Sequence, residues 1–256
     1  MKIHKAKKSL GQNFLKSEGA LRKIIEEGEI NSSDIILEIG PGKGVLTSRL
    51  LEKAGYVIAI EKDKNLVEFL QEKFAKEISE KKLILLENDI LEYIPISKNY
   101  KIIANIPYNI TGAILKKFLT EKIQPNMMVL MVQNEVAKRI VARDNKESIL
   151  SISVKAYGTP KLAMKVPARY FSPAPKVDSA IISIKNISRN FFIENKVDEN
   201  TFWEIIHAGF AHKRKKLTSN LKKFQPFLNQ IQLKTLENKR AEDLTLFDWL
   251  SLIKSV

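Results

Sequence analysis

The sequence predicts an α/β protein, with a doubly wound sheet in residues 1–187 and a small all-helical domain in residues 188–256. Two observations predict the sheet: short apolar runs alternate with amphipathic stretches, and one of these runs ends in a glycine-rich loop. The helical domain is predicted because the apolar spacing takes a helical period from Asp198 onward. A chain of 256 residues suits either one large domain or one domain with a small appendage.

The apolar runs are candidates for parallel strands covered on both faces, because most are β-branched or leucine-rich and nearly continuous. They occupy, in chain order, Ile35–Ile39, Tyr56–Ile60, Leu83–Leu86, Lys101–Ala104, Met127–Val132 and Ser179–Ile184. Amphipathic helices are expected between them, including Asn65–Ile78 and Gly112–Thr120. The segment from Thr159 to Val177 contains several prolines, and no strand is predicted there.

The C-terminal part shows apolar residues at helical spacing. One helix face is predicted to carry Phe202, Ile205, Ile206, Gly209 and Phe210. The last helix is expected to begin at a capping box formed by Thr245 and Asp248, ahead of Trp249.

The composition excludes several kinds of site. There is no cysteine, so disulfides and thiolate ligands are excluded, and the expected location is a reducing cytoplasm. The histidines His4, His207 and His212 lack the spacing of metal ligands, so no metal site is predicted. No run approaches the ~18 apolar residues of a membrane span, and the basic N-terminus leads into no apolar signal region.

The formal charge of +14 comes from basic segments at residues 1–16, 155–189 and 212–223. If the fold brings these segments to one face, that face would attract a polyanion through counterion release and electrostatic steering. A lysine-rich composition without any such function would give the same charge. Charge alone therefore leaves nucleic-acid binding open.

The sharpest local pattern is ILEIGPGKG at residues 36–44, a buried strand that ends in Gly40, Gly42 and Gly44. Glycine lets a ligand approach the backbone closely, and open α/β sheets bind ligands at the carboxyl ends of their strands. The pattern predicts a nucleoside-containing cofactor. Nicotinamide and flavin sites use similar loops, and some such turns are only structural.

Carboxylates follow the next two strands. Glu61 ends the second apolar run and could accept the two hydroxyls of a ribose. Asp89 follows the third run and could accept a hydrogen bond from an adenine amine. Considered alone, Glu61 could be a solvated loop acid and Asp89 could be a helix N-cap. Their succession at strand ends favours a nucleoside pocket.

The fourth run ends in ANIPYNIT, in which Asn105, Ile106, Pro107 and Tyr108 form the candidate catalytic motif. Proline stiffens the loop and can turn the Ile106 carbonyl inward, while Asn105 offers a second neutral acceptor. Two such acceptors could grip an aromatic amine and stabilise the positive charge that grows on it during attack on a methyl sulfonium. Tyr108 offers a flat face for the base.

Together these residues resemble the ribosomal RNA adenine N6-methyltransferase family. Further similarity lies in KKSLGQNFL (7–15), LMVQNEVAKRI (130–140), FSPAPKVDSAII (171–182) and AHKRKKLTSNL (211–221). The resemblance implies a Rossmann-like methyltransferase sheet that binds S-adenosylmethionine. Ile106 replaces the leucine usual in the family, a conservative change because only its main-chain carbonyl is used.

The resemblance also implies roles for single residues. The N-terminal segment would close over the cofactor, Gly40 would hold the methionine end, and Phe171 would be a second stacking face for the adenine. The cofactor-binding set would be Gln12, Asn13, Leu15, Gly40, Gly42, Glu61, Lys62, Asp89, Ile90 and Asn105.

The implied substrate is a pair of adjacent adenosines in the 3′-terminal hairpin loop of 16S ribosomal RNA, within an immature 30S subunit. Each would receive two methyl groups from a monomeric enzyme with no membrane partner. Methylation of 23S RNA is the nearest alternative. The QNEV segment (133–136) and the basic C-terminal segment argue against it. Two further alternatives are a non-catalytic RNA-binding assembly factor and a nicotinamide dehydrogenase.

Overall fold

The computed structural model describes Lys7 and residues 10–253, so half of the predicted N-terminal basic segment, including Lys2, Lys5 and Lys8, lies outside the described residues. The strands are β1 (Phe14–Leu15), β2 (Ile35–Ile39), β3 (Tyr56–Glu61), β4 (Leu83–Glu87), β5 (Lys101–Asn105), β6 (Met127–Gln133), β7 (Thr159–Val166), β8 (Phe171–Ser172) and β9 (Ser179–Lys185).

The helices divide into two groups along the chain. Those of the N-terminal part are α1 (Glu18–Glu27), α2 (Val45–Leu51), α3 (Lys64–Lys73), α4 (Ala75–Ser79), α5 (Thr111–Thr120) and α6 (Asn134–Val141). Those that follow are α7 (Ile149–Tyr157), α8 (Asn190–Asn195), α9 (Glu199–Gly209), α10 (Leu217–Asn220), α11 (Gln230–Thr235) and α12 (Leu246–Ile253).

In the described residues the main sheet has seven strands in the order β4-β3-β2-β5-β6-β9-β7. The first five are parallel, and β9 and β7 are antiparallel to their neighbours. All six predicted strands are present, and β2 has the predicted bounds. The carboxyl ends of β2, β3, β4 and β5 therefore lie along one edge of the sheet.

Strand β7 was missed by the sequence analysis because Pro160 is its second residue and Pro167 follows it directly. It lies at the edge of the sheet and, among the described strands, pairs only with β9; the register shifts between Leu162 and Met164. A proline is tolerated there because an edge strand leaves half of its N–H groups without a partner strand.

The predicted helix over Asn65–Ile78 is divided into α3 and α4 at Phe74, whose φ of −114° and ψ of 28° are not helical. The Phe74 ring is buried against Gly44, the residue before α2. A β-carbon on Gly44 would lie 2.5 Å from that ring, and Gly44 has a φ of 70°. The close packing of α3 on the glycine-rich loop therefore depends on glycine at this position.

Contacts between residues divide the chain into two compact units, residues 1–137 with 159–187 and residues 138–158 with 188–256. The first contains the sheet. The second is helical, and α7 joins it because it packs against α8 and α12. The predicted domains, 1–187 and 188–256, place α7 in the first domain, and that division stays a prediction.

The second unit has its own apolar core, which includes Phe202, Ile205, Ile206 and Trp249. Its last helix begins as the sequence predicts: the Thr245 Oγ1 accepts from the Asp248 N–H at 3.2 Å, and an Asp248 carboxylate oxygen accepts from the Thr245 N–H at 2.8 Å. The reciprocal bonds satisfy two N–H groups at the helix start. No helix in the described part of the chain has the length and apolar character that crossing a membrane requires.

Substitution of two helical glycines by alanine tests the packing, because the two changes are expected to alter stability with opposite sign. We expect Gly209→Ala to lower the free energy of unfolding by about 1–3 kcal/mol, because its β-carbon would lie 2.3 Å from the Trp249 ring. Gly112→Ala is the matched control. Its β-carbon would meet nothing within 4 Å, so it should raise stability by about 0.5 kcal/mol through helix propensity.

The measurement is urea unfolding followed by circular dichroism. Equal effects of the two substitutions, in either direction, would contradict the packing described for Gly209.

Candidate active site

A cavity opens where β2, β3, β4 and β5 end, within the first unit. Open α/β sheets bind ligands at this position because loops diverge from the carboxyl ends of neighbouring strands. The glycine-rich loop forms one wall. Its Gly40 N–H donates to the Ile60 carbonyl at 2.9 Å, so the end of β2 is tied to the end of β3.

Gly42 makes room for the N-terminal segment. It has a φ of 59°, and a β-carbon there would lie 3.1 Å from the Phe14 ring. The same ring has the Lys43 Nζ 4.9 Å from its centroid, a cation–π distance. A side chain at position 42 would thus displace Phe14 and the cavity-lining residues around it.

Glu61 is buried at the end of β3 and lines the cavity. Its carboxylate oxygens accept from the Gly42 N–H at 3.2 Å and from the Asp63 N–H at 2.9 Å. Burial raises the pKa of Glu61, and these N–H bonds oppose that rise. A carboxylate has about four acceptor sites, so Glu61 can still accept from ligand hydroxyls in addition to its bonds with the backbone.

Asp89 is held in place by Lys62, which projects from the neighbouring strand end. The Lys62 Nζ lies 2.7 Å from one Asp89 oxygen, and the Leu91 N–H donates to the other at 2.9 Å. These two bonds lower the pKa of Asp89. The carboxylate is therefore ionised and fixed in orientation at neutral pH.

The N-terminal segment is anchored through Asp63, whose side chain is fully buried. Its oxygens accept from the Lys7 Nζ at 2.7 Å and the Gln12 Nε2 at 3.0 Å. Burial alone would raise the pKa of Asp63, but the bonds from Lys7 and Gln12 outweigh it and the pKa is lowered. The amide of Gln12 is thereby committed to Asp63, and its carbonyl oxygen accepts from the Lys7 N–H at 2.8 Å.

Asn105 ends β5, and its side-chain N–H donates to the main-chain carbonyl of Asn13 at 3.1 Å. Since a carbonyl only accepts, this bond identifies which end of the Asn105 amide carries nitrogen. The oxygen must point away from Asn13. Pro107, with φ −61° and ψ 129°, then leads into the short helix Tyr108–Ile110.

Tyr108 lines the cavity, and its hydroxyl is hydrogen-bonded to the Ser179 hydroxyl. Burial raises the pKa of Tyr108, and the bond to Ser179 opposes that rise. The phenol is neutral at physiological pH and presents an uncharged aromatic ring to the cavity.

Glu38 was missed by the sequence analysis although it lies inside the ILEIG strand. It lines the cavity with 1% of its surface exposed, and its Oε2 has no hydrogen-bond partner in the described residues. Burial, with a contribution from the charge of Glu61, raises the pKa of Glu38 to about 8. An acid in the middle of an otherwise apolar strand was the available signal, because such a group is costly to bury without a purpose.

A family model described as ribosomal RNA adenine dimethylase matches residues 3–256. The chain belongs to this family. A ribosomal RNA small subunit methyltransferase A of Dehalococcoides mccartyi is 40% identical, over 97% of this chain and 87% of its own. The protein of that name from Fusobacterium nucleatum is 39% identical, over 98% of this chain and 97% of its own.

Two solved structures have a similar fold. A dimethyladenosine transferase from Plasmodium falciparum is 28% identical with a TM-score of 0.78, over 93% of this chain and 95% of that one. The 23S rRNA methyltransferase ErmE is 23% identical with a TM-score of 0.79, over 95% and 99%. The predicted dimethylase family and methyltransferase fold class are confirmed.

Nearly all of the predicted site residues of this dimethylase line the one cavity. They are Gln12, Asn13, Leu15, Gly40, Gly42, Glu61, Lys62, Asp89, Ile90, Asn105, Ile106, Pro107 and Tyr108. Phe171 is not among the lining residues. It is 3% exposed, belongs to the hydrophobic core and pairs with Leu15 between β8 and β1. Its expected stacking role, like the other individual roles, stays a prediction.

The buried acid of this dimethylase has a measurable consequence. Because the pKa of Glu38 is raised from 4.5 to about 8, the protonated carboxyl stabilises the fold below pH 4.5 and this stabilisation is lost as the pH rises to 8. Glu38→Gln is neutral at every pH. We expect its stability relative to the wild type to increase by up to about 1.4 kcal/mol per pH unit between pH 5 and 8.

Urea unfolding of both proteins without ligand, at pH 4.5, 6 and 8, measures this difference. The two proteins should have nearly equal stability at pH 4.5, which serves as the internal control. A stability difference that stays constant across the series would refute the assigned titration.

Proposed function

We propose that this dimethylase transfers methyl groups from S-adenosylmethionine to N6 of two adjacent adenosines in the 3′-terminal hairpin loop of 16S ribosomal RNA. The substrate form would be an immature 30S subunit. Family membership makes the chain a ribosomal RNA adenine methyltransferase. The relatives named for the small subunit, at up to 40% identity over nearly the whole chain, support the choice of RNA.

The observation that carries the proposal is the position of Asn105 in the cavity of Glu61 and Asp89, with its amide nitrogen bonded to Asn13. The outward oxygen can accept one N6–H of an adenine, and the Ile106 carbonyl is the proposed second acceptor. Both are neutral. They favour a tetrahedral nitrogen and stabilise the positive charge that develops on it.

The cavity residues fit S-adenosylmethionine by their chemistry. The Glu61 carboxylate can accept from ribose hydroxyls in addition to its backbone bonds, Asp89 can accept from the adenine amine, and the unpartnered Oε2 of Glu38 suits a polar ligand group. When bound, this cofactor supplies a methyl group that is already activated on a sulfonium. The protein groups then need only hold the base and the methyl group in line, at about 3–3.5 Å.

The target adenine has to leave its stack to reach the cavity, at a cost of a few kcal/mol. Stacking on the neutral Tyr108 ring would offset about 1–3 kcal/mol of that cost. Binding of the RNA backbone is assigned to basic residues, among which residues 212–216 of the second unit are exposed.

The test is incubation of the purified protein with undermethylated small subunits and labelled S-adenosylmethionine, followed by primer-extension mapping. We expect two neighbouring stops near the 3′ end of 16S RNA. Stops in 23S RNA offered in parallel would replace the proposed substrate with the other branch of the family. If no methyl group is transferred to either RNA, the proposal is refuted. A non-catalytic RNA-binding protein would then be the remaining alternative.

Asn105→Ala tests the catalytic assignment. It should lower kcat for methyl transfer by about 100-fold or more, because one of two preorganised acceptors is lost, and should change RNA affinity only a few-fold. Asn126→Ala is the matched control, since Asn126 precedes β6 and so lies at the opposite edge of the parallel strands. Its kcat should equal that of the wild type.

Single-turnover rates and filter binding measure the two quantities. A rate for Asn105→Ala within a few-fold of the wild type would remove Asn105 from the mechanism.

A further inference from the structure

The VDS segment, residues 177–179, contains a buried hydroxyl that the proposed mechanism does not use. Ser179 is the first residue of β9 and has no exposed surface. Its hydroxyl is hydrogen-bonded to the hydroxyl of Tyr108, 71 residues earlier in the chain. A polar group is costly to bury, so the position of this serine is informative.

The strand end that carries Ser179 is held from several directions. The Asp178 carboxylate accepts from the Ala168 N–H at 3.0 Å and pairs with Lys165 at 2.8 Å. Its main-chain carbonyl accepts from the Asn134 N–H at 3.0 Å. Ser179 itself is paired with residues of both β6 and β7. The backbone that carries the Ser179 hydroxyl is therefore fixed in position.

Tyr108 is held less firmly by its own backbone. It begins a short helix of three residues between β5 and α5, where the Thr111 Oγ1 donates to the Tyr108 carbonyl at 3.0 Å. A tyrosine side chain has two rotatable bonds, so a fixed backbone leaves the ring free to swing. A bond to the hydroxyl at the far end of the ring removes that freedom.

We propose that Ser179 is a positioning residue for methyl transfer, which fixes the plane of the Tyr108 ring against which the target adenine stacks. The inference rests on the proposed function. The ring is then in place before the base arrives, and the N6 atom meets the methyl group without reorganisation. Loss of the bond lets the stacked base tilt, which lowers kcat and leaves cofactor affinity unchanged.

The experiment is a double-mutant cycle with Ser179→Ala, Tyr108→Phe and the double variant, on undermethylated small subunits. Either single change should lower kcat by about 3- to 10-fold, the value of one hydrogen bond. The double variant should be no slower than the slower single variant, because both changes remove the same interaction. Affinity for S-adenosylmethionine, measured by calorimetry, should be that of the wild type in all three.

Ser183→Ala is the matched control. Ser183 is also fully buried, lies on the same face of β9 four residues on, and donates to Glu27 at 3.1 Å. It should reduce stability without changing kcat. Ser179→Thr, which keeps the hydroxyl, should retain a kcat close to that of the wild type.

The inference would be overturned by a wild-type kcat in Ser179→Ala, or by a loss of kcat in the double variant equal to the product of the two single losses. In either case, methyl transfer by the wild type would still support the proposed function. If Ser179→Ala does not fold, Tyr108→Phe decides, because it keeps the ring and removes only the hydroxyl. A wild-type kcat for Tyr108→Phe overturns the inference. An inactive wild type removes the proposed function and the inference together.

Discussion

The hydrogen bond from the Asn105 amide to the Asn13 carbonyl is the contact on which the arrangement of the site depends. An asparagine amide can rotate by half a turn and exchange its donor and acceptor ends. The carbonyl of Asn13 excludes one of these orientations, because it can only accept. The acceptor that Asn105 offers to a substrate is thus selected by the chain segment that precedes β1 (Phe14–Leu15).

Contacts on both sides of Asn13 hold that segment in place. The Phe14 ring packs on Gly42, and Lys7 and Gln12 bond to the buried carboxylate of Asp63. Asp63 also accepts from the Asn65 N–H at the start of α3 (Lys64–Lys73) and lies two residues after Glu61. The residues that line the proposed cofactor cavity and those that orient the Asn105 amide are therefore joined by direct contacts, and a substitution in one group should shift the other.

The direction of β9 (Ser179–Lys185) explains how Ser179 comes to the site. Ligand sites lie at the carboxyl ends of parallel strands, and a further parallel strand would have brought its last residue to that edge. Because β9 is antiparallel to β6, its first residue pairs with Gln133, the last residue of β6. The segment before β9 therefore meets the same edge as Asn105 and places a hydroxyl beside Tyr108.

The sequence predicted the parts of the site that depend on local order along the chain. Asn105, Glu61 and Asp89 each follow an apolar run, and parallel strands bring such positions to one edge whatever the details of packing. The hydrogen bonds of Gln12 to Asp63 and of Ser179 to Tyr108 were not predictable, since the partners lie 51 and 71 residues apart in the chain. The pairing of Phe171 with Leu15 was not predictable for the same reason, because it joins two distant parts of the chain. Strand β7 (Thr159–Val166) was missed because the exposed edge of a sheet accepts prolines that a central strand would not.

The distribution of charge in the cavity follows from the chemistry of an aromatic amine. Asp89, which lines the cavity, and Asp63, which bonds to the lining residue Gln12, are ionised, and each is paired with a lysine away from the proposed reacting atoms. The motif at the end of β5 (Lys101–Asn105) contains only neutral groups: an amide, a main-chain carbonyl and a phenol whose pKa is raised by burial. A carboxylate next to N6 would have to be desolvated to let the base enter, at a cost of several kcal/mol. Neutral acceptors avoid most of this cost and still gain strength as positive charge grows on the nitrogen, because they are oriented before the reaction begins. In the proposed mechanism the hydrogen bond to Asn13 fixes that orientation before the substrate binds, so the selectivity for the transition state would depend on a contact that does not involve the substrate.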